Sequence, residues 1–354
     1  MPPANTHAAN RATATASAAA TDATATPAAT ARHWRLAAVL AVFAAAAPAA
    51  LFATAANAAP SSPSTTSTAS TTSTPSTPPP APALPDAESL RDEADALTLD
   101  GILRDQEALF TALKDDAELR RLPHAEKERR LTELSRRYEV LLSRRPDDAA
   151  IMVLYGKFLR LIDDRARANE CFAMADRLMP NTAVIKHQLG VFAAEEGRYI
   201  AAHNLLGQAV TLEPATAIYH FHYGEFLTTY NAHLVRDNIF KTQAECSTRA
   251  QAAFRRAAEL TPENKAFQWR YAESFFERDP PDYAGAFAEW GRIAAKAKTA
   301  PDREAAWLQQ ARALTGTGRF AEARRLLATS KTPELAASRK RLTDILDATE
   351  KAKK

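Results

Sequence analysis

Leu189-Gly190, followed by Gly197-Arg198-Tyr199-Ile200-Ala201-Ala202 and then Leu206, Ala209 and Pro214, is the stretch on which the fold turns. Gly190 and Ala202 are small residues at spacings that let two helices cross closely. Leu206 is large enough to fill the space between successive helix pairs. Pro214 cannot continue a helix and so closes the unit. The same beat runs through neighbouring sequence: Gly156, Gly190 and Gly224 stand 34 residues apart, as do Pro146, Pro180 and Pro214. Ala168 pairs with Ala202, and Ala175 with Ala209, at the same interval. A fixed period of that length in alanine-rich sequence predicts stacked helical hairpins, each burying what its neighbour cannot bury alone.

Working outward, a first unit over about 147–180 carries Tyr155-Gly156, Leu159, Ala168, Phe172, Ala175 and Pro180, with Asp163 in place of the turn glycine. A third begins at Tyr223-Gly224 and Leu227, and its second helix resumes at Ala250, Phe254, Ala257 and Pro262. Pro214 to Pro262 is 48 residues, so 14 have been inserted, near Thr228–Cys246. A fourth unit, about 263–299, has Tyr271-Ala272, Phe275, Ala286, Trp290 and Ile293, with Pro280-Pro281 in a lengthened turn. A fifth, about 302–330, has Trp307, Leu314, Gly318-Arg319-Phe320, Ala323 and Leu327, but reads Gln310-Ala311 where Leu-Gly is expected.

These residues resemble the tetratricopeptide repeat family, over about half the chain. The resemblance implies an all-α, right-handed solenoid of about five hairpins. Leu131, Leu134, Tyr138, Leu141 and Leu142 form an apolar stripe that predicts one helix of a degenerate leading hairpin; 333–348 reads as a closing helix. The division is then a helical cap over 89–146, the array over 147–330 and a capping helix over 331–354.

The N-terminal quarter has a different composition. Residues 1–35 are mostly Ala and Thr, and 59–88 are rich in Ser, Thr and Pro. Both have too few large apolar side chains to offset the entropy of ordering, which predicts disorder in the first and a Pro-stiffened linker in the second. Between them Arg32 and Arg35 precede an uncharged run, 36–58, ending Ala56-Asn57-Ala58. Two readings stay open: a secretory signal cleaved after Ala58, or an uncleaved membrane anchor. Each places the remainder outside the cytoplasm, in a periplasmic or extracellular setting.

A net charge of +3 leaves no electrostatic footprint for nucleic acid. Arg129-Arg130, Arg136-Arg137 and Arg144-Arg145 are interleaved with Glu126, Glu128, Glu133 and Glu139, as on a solvated helix face. Cys171 and Cys246 fall a whole hairpin apart. Hairpins step by about 8–10 Å, beyond the ~7 Å span of a disulfide, so none is expected. Gly-rich phosphate loops, Gly-x-Ser-x-Gly, His-Glu-x-x-His and Cys-x-x-Cys are all missing. No catalytic residue, cofactor or metal site is therefore expected. His220 and His222 point apart on a helix, and His187, His222 and His233 would meet only if the insertion folded back.

The family resemblance implies that first helices of successive hairpins line a concave groove. The stripe adjoining Gly190 and its counterparts gives the candidates: Val153 and Lys157; His187 and Val191; Phe221 and Glu225; Trp269, Arg270 and Glu273; Leu308 and Arg312. Aliphatic, aromatic and both signs of charge together suit a protein or peptide partner. Phe221 and Trp269 are either anchors for that partner or covered by the chain itself. The family's carboxylate clamp is not reproduced. The expected function is a non-catalytic scaffold or assembly factor; the alternative is an accessory subunit of an envelope enzyme or secretion complex.

Overall fold

The computed structural model describes residues 97–115, 121 and 123–353. The expected leader, signal or anchor segment and linker lie outside these residues. The chain divides into two compact units at Arg121/Leu122. The first contributes one described helix, α1 (Leu99–Asp115), whose entry is capped where the Thr98 hydroxyl accepts from the Gly101 N–H at 3.0 Å.

The second unit is a succession of helix pairs, with no strand among the described residues. It opens with α2 (His124–Arg144), followed by the first hairpin, α3 (Ala149–Leu161) with α4 (Arg165–Leu178). The second hairpin is α5 (Ala183–Glu195) with α6 (Tyr199–Leu212). In the third, a short helix α8 (Asn231–Arg236) separates α7 (Ala217–Thr229) from α9 (Gln243–Leu260). Then come α10 (Lys265–Ser274) with α11 (Tyr283–Lys296), and α12 (Ala300–Gly316) with α13 (Phe320–Thr329). A 3-10 turn (Pro333–Leu335) leads into the closing helix α14 (Ala336–Ala352).

The periodic residues meet as their sizes require. Gly156, Gly190 and Gly224 face Phe172, Leu206 and Phe254 of the paired helix. A Cβ added at these glycines would stand 3.0, 2.8 and 2.7 Å from those side chains. Ala168, Ala175, Ala202, Ala209, Ala250 and Ala257 are buried as well. The turns share a second device. Asp163, Gly197 and Gly318 adopt left-handed backbone, with φ of 63, 76 and 80°. Each lets the next residue's N–H reach back across the helix end: Asp164 to Leu159, Arg198 to Ala193 and Arg319 to Leu314, all at 2.9 Å. Asp163 can stand in for glycine because aspartate is among the few residues that visit this region routinely.

The 14 inserted residues divide in two. Relative to the second hairpin, ten lengthen the connection between α7 and α9, and four extend α9 at its start. α8 closes like the hairpin turns, with Asn238 at φ 58° and the Ile239 N–H bonded to the Leu234 carbonyl at 2.9 Å. Leu234 is fully buried. Tyr230 packs on Tyr199 (centroids 4.8 Å), His233 stacks on Tyr199 (4.6 Å) and Phe240 meets His203 edge-on (5.5 Å). The insertion therefore lies on the starting end of α6.

The fourth unit departs from the expected pairing. Its connection runs from Phe275 to Asp282, and α11 packs far more extensively on α12 than on α10. Trp290, Ile293 and Ala294 of α11 bury together with Ala306 and Ala313 of α12, while Tyr283 lies against Gly316. In this unit Phe275 lies against Gly285, and Ala272 stands where the earlier units have glycine.

Candidate binding groove

Three of the five first helices, α3, α10 and α12, are started by a side-chain cap. Asp148 accepts from the Ile151 N–H (3.1 Å), Asn264 from the Ala266 and Phe267 N–H groups (3.0 and 3.3 Å), and Thr299 from the Asp302 N–H (3.3 Å). The candidate residues next to the packed glycines and alanines lie on α3, α5, α7, α10 and α12.

The candidates sort by burial. Val153, His187, Val191 and Leu308 are buried; Phe221, Trp269 and the charged members are half-buried. Phe221 stacks on Phe267 (4.6 Å) and meets Phe254 edge-on (5.9 Å). Trp269 meets Trp290 edge-on (5.4 Å) and carries the Lys265 ammonium over its face at 4.7 Å. Phe221 is thus partly covered by the next hairpin and Trp269 by its own unit, and both stay half-buried.

The charged members pair across neighbouring first helices. Arg270 donates to Glu225 on α7 and, at 2.9 Å, to Glu277, while its guanidinium lies 4.0 Å above the Phe254 ring. Burial works against the Arg270 charge, and the two carboxylates more than restore it. Glu277 is held above the ordinary carboxylate range by burial, with Arg270 opposing. Arg312 donates to Glu273 at 2.6 Å and lies 4.0 Å above Phe276. Lys157 has no ion pair among the described residues, and burial lowers its pKa.

Two lateral contacts were not foreseen from the sequence. Arg160 on α3 donates to Glu195 on α5 at 3.0 Å. His187 Nε2 lies 2.6 Å from His222 Nδ1, with the rings stacked at 4.8 Å. Both links join residues 35 apart, one repeat plus one residue. That offset was available as a signal, since stacked hairpins bring near-equivalent positions side by side. Burial keeps both imidazoles neutral, His222 down to about 4 and His187 well below its ordinary value, with the His222 ring adding to the effect at His187. His233 does not join them, being stacked on Tyr199. The described residues contain no group of three His, Cys, Asp or Glu able to hold a metal.

Both cysteines are free thiols raised by burial, Cys171 to about 11 and Cys246 to about 12. Cys246 donates to the Leu227 carbonyl at 3.4 Å.

No family model and no curated protein matches the sequence. Solved structures do. PilW, described as a widely conserved type IV pilus biogenesis factor, aligns at 12% identity and a TM-score of 0.46, covering 70% of this chain and 100% of that one. YrrB, described as a TPR protein with an unusual peptide-binding site, aligns at 14% and 0.43, covering 54% and 89%. PilF of Pseudomonas aeruginosa aligns at 14% and 0.41, covering 68% and 91%. Within the chain, glycines stand at the crossings of the first three hairpins, the same left-handed turn recurs in three hairpins and the prolines fall in phase. On these grounds the described array is a tetratricopeptide-like solenoid of helical hairpins.

Proposed function

We propose that this protein is a non-catalytic scaffold that receives a segment of a protein partner along the shared face of α3, α5, α7, α10 and α12. One observation carries the reading. The first helices are tied sideways by Arg160–Glu195, His187–His222, Glu225–Arg270 and Glu273–Arg312. These links hold the face in one arrangement before a partner arrives, which lowers the ordering cost of binding. Half-buried Phe221 and Trp269 offer apolar contact area, and Lys157 offers an amine with no ion pair among the described residues. In the proposed setting the array is exported, by way of residues 36–58, as a scaffold or assembly factor of the envelope. No described helix is long and apolar enough to cross a membrane, and 36–58 lies outside the described residues. The intact mass of the native protein decides the N-terminus: a chain beginning at Ala59 supports a cleaved signal, and an uncut chain supports an anchor.

Photo-crosslinking in the native host tests the groove. A benzoyl-phenylalanine placed at Lys157 or at Arg312 should yield a discrete protein adduct, and one at Lys340 on α14 should not. Adducts that form only from Lys340, or equally from all three, would overturn the groove assignment.

A further inference from the structure

We propose that the cleft between the second helices α6 and α9 is a separate recognition site, one that takes an extended peptide segment bearing a carboxylate. The cavity has a volume of about 560 Å³ and is also lined by Tyr223 of α7 and by Asn181, just before α5. That size lies within the range of natural ligand sites. The site stands apart from the groove and does not rest on it.

Four observations point the same way. First, α6 (YIAAHNLLGQAVTL) contains no Asp, Glu, Lys or Arg. The other second helices, α4, α9, α11 and α13, each carry at least three. A second helix that has dropped every full charge is suited to contact rather than to bulk water. Second, Gly207 sits in the middle of α6, where a Cβ would meet nothing within 4 Å. The glycines of the helix crossings are explained by close packing; Gly207 is not. Its effect is to leave the cleft floor bare and the helix backbone approachable.

Third, Asn181, Asn204 and Gln208 line the cleft with exposed side-chain amides. A side-chain amide presents a donor and an acceptor together, the complement of a peptide group. Fourth, Arg249 is the one full charge lining the cavity, with no carboxylate partner among the described residues. Its guanidinium is held beside the Tyr223 hydroxyl, which in turn lies 3.3 Å from His203 Nδ1. Burial, with the Arg249 charge adding to it, lowers the His203 pKa below the ordinary imidazole value. The cleft therefore offers one fixed cation among neutral amides, which selects an acidic side chain on a peptide backbone.

Panning tests the assignment. The full-length chain is immobilised and exposed to a phage-displayed library of random heptapeptides. Enriched peptides should carry Asp or Glu. Their recovery should fall at least tenfold on Gly207→Trp, which fills the cleft, and on Arg249→Glu, which reverses its charge, but persist on Arg312→Glu in the groove. Gly207 has open space beside it and Arg249 is exposed, so both variants should keep the far-ultraviolet helicity of the parent. Gly207→Ser, a small change, should keep binding. The proposal is overturned if no peptide is enriched, if the enriched peptides lack acidic residues, or if recovery is indifferent to Gly207→Trp and Arg249→Glu. Loss on Arg312→Glu alone would place the peptides in the groove and count against the cleft.

Discussion

In the first three hairpins a glycine stands where first and second helix touch, and the phenylalanine ring or leucine side chain opposite it would lie 3.0 Å or less from an added Cβ. In the fourth unit Ala272 takes that place, and the close partner of α11 is α12 of the following hairpin. The front of the array, 147–262, is therefore joined most tightly within hairpins, and the rear, 263–330, most tightly between them. The sideways links are mixed: ion pairs join the first and second hairpins (Arg160–Glu195) and the fourth and fifth (Glu273–Arg312, Lys265–Asp302), while neutral His187 and His222 connect the second and third. The comparison teaches that one repeat pattern can be satisfied by two distributions of contact, provided each apolar face finds a neighbour.

The largest effect should come from removing the ring that fills the third crossing. Phe254 is fully buried, faces Gly224 and lies beneath Arg270. Phe254→Ala should cost about 3–5 kcal/mol, the usual range for a buried phenylalanine, measured as a lowered urea midpoint. Hydrogen exchange should show α7 and α9 losing protection before α12 and α13. Uniform loss along the array would mean that front and rear are one cooperative block.

Acid should come next, and should act on the front. Below an unfolded histidine pKa of about 6.5, the unfolded chain binds protons that buried His222 refuses until about pH 4. Stability is therefore full above that unfolded value and falls as the pH drops towards 4. His222 alone accounts for on the order of 3 kcal/mol at the lower end. Chemical denaturation at pH 7 and pH 4.5, followed by exchange at α5 and α7, measures this. Equal acid sensitivity in α12 would break the contrast.

The smallest effect sharpens the comparison most. Gly190→Ala brings a Cβ to 2.8 Å from Leu206 Cγ and 3.0 Å from its backbone nitrogen. Overpacking should outweigh the gain in helix propensity, for a net loss of about 1 kcal/mol. The reciprocal change, Ala272→Gly, meets no such gain and should also lose about 1 kcal/mol, from backbone entropy alone. Thermal unfolding of the two variants checks both. A stabilised Gly190→Ala would show that the front crossings are looser than the geometry requires.

Much of this could be read from residue order. The 34-residue beat located the crossings, Asp163 was recognised in a turn-glycine slot, and the insertion was placed and sized correctly. Gly, Ala, Pro and the turn residues act through backbone sterics over a few positions, so their meaning is local and survives without coordinates. The pairings among the candidate groove residues were not legible in the same way. Glu225 with Arg270, and His187 with His222, depend on how far one hairpin slides and turns against the next. The length of an insertion or a lengthened turn changes that offset. The cleft beside Gly207 lay still further from view, since an isolated glycine in a helical pattern has no signature until the empty space beside it is seen. The chain's order thus determined which helices form and where each ends, because those choices are settled within a turn or two of backbone. Only the tertiary structure decided which side chains meet across hairpins and which surface stays open, because those outcomes belong to the relative placement of rigid pairs rather than to any one of them.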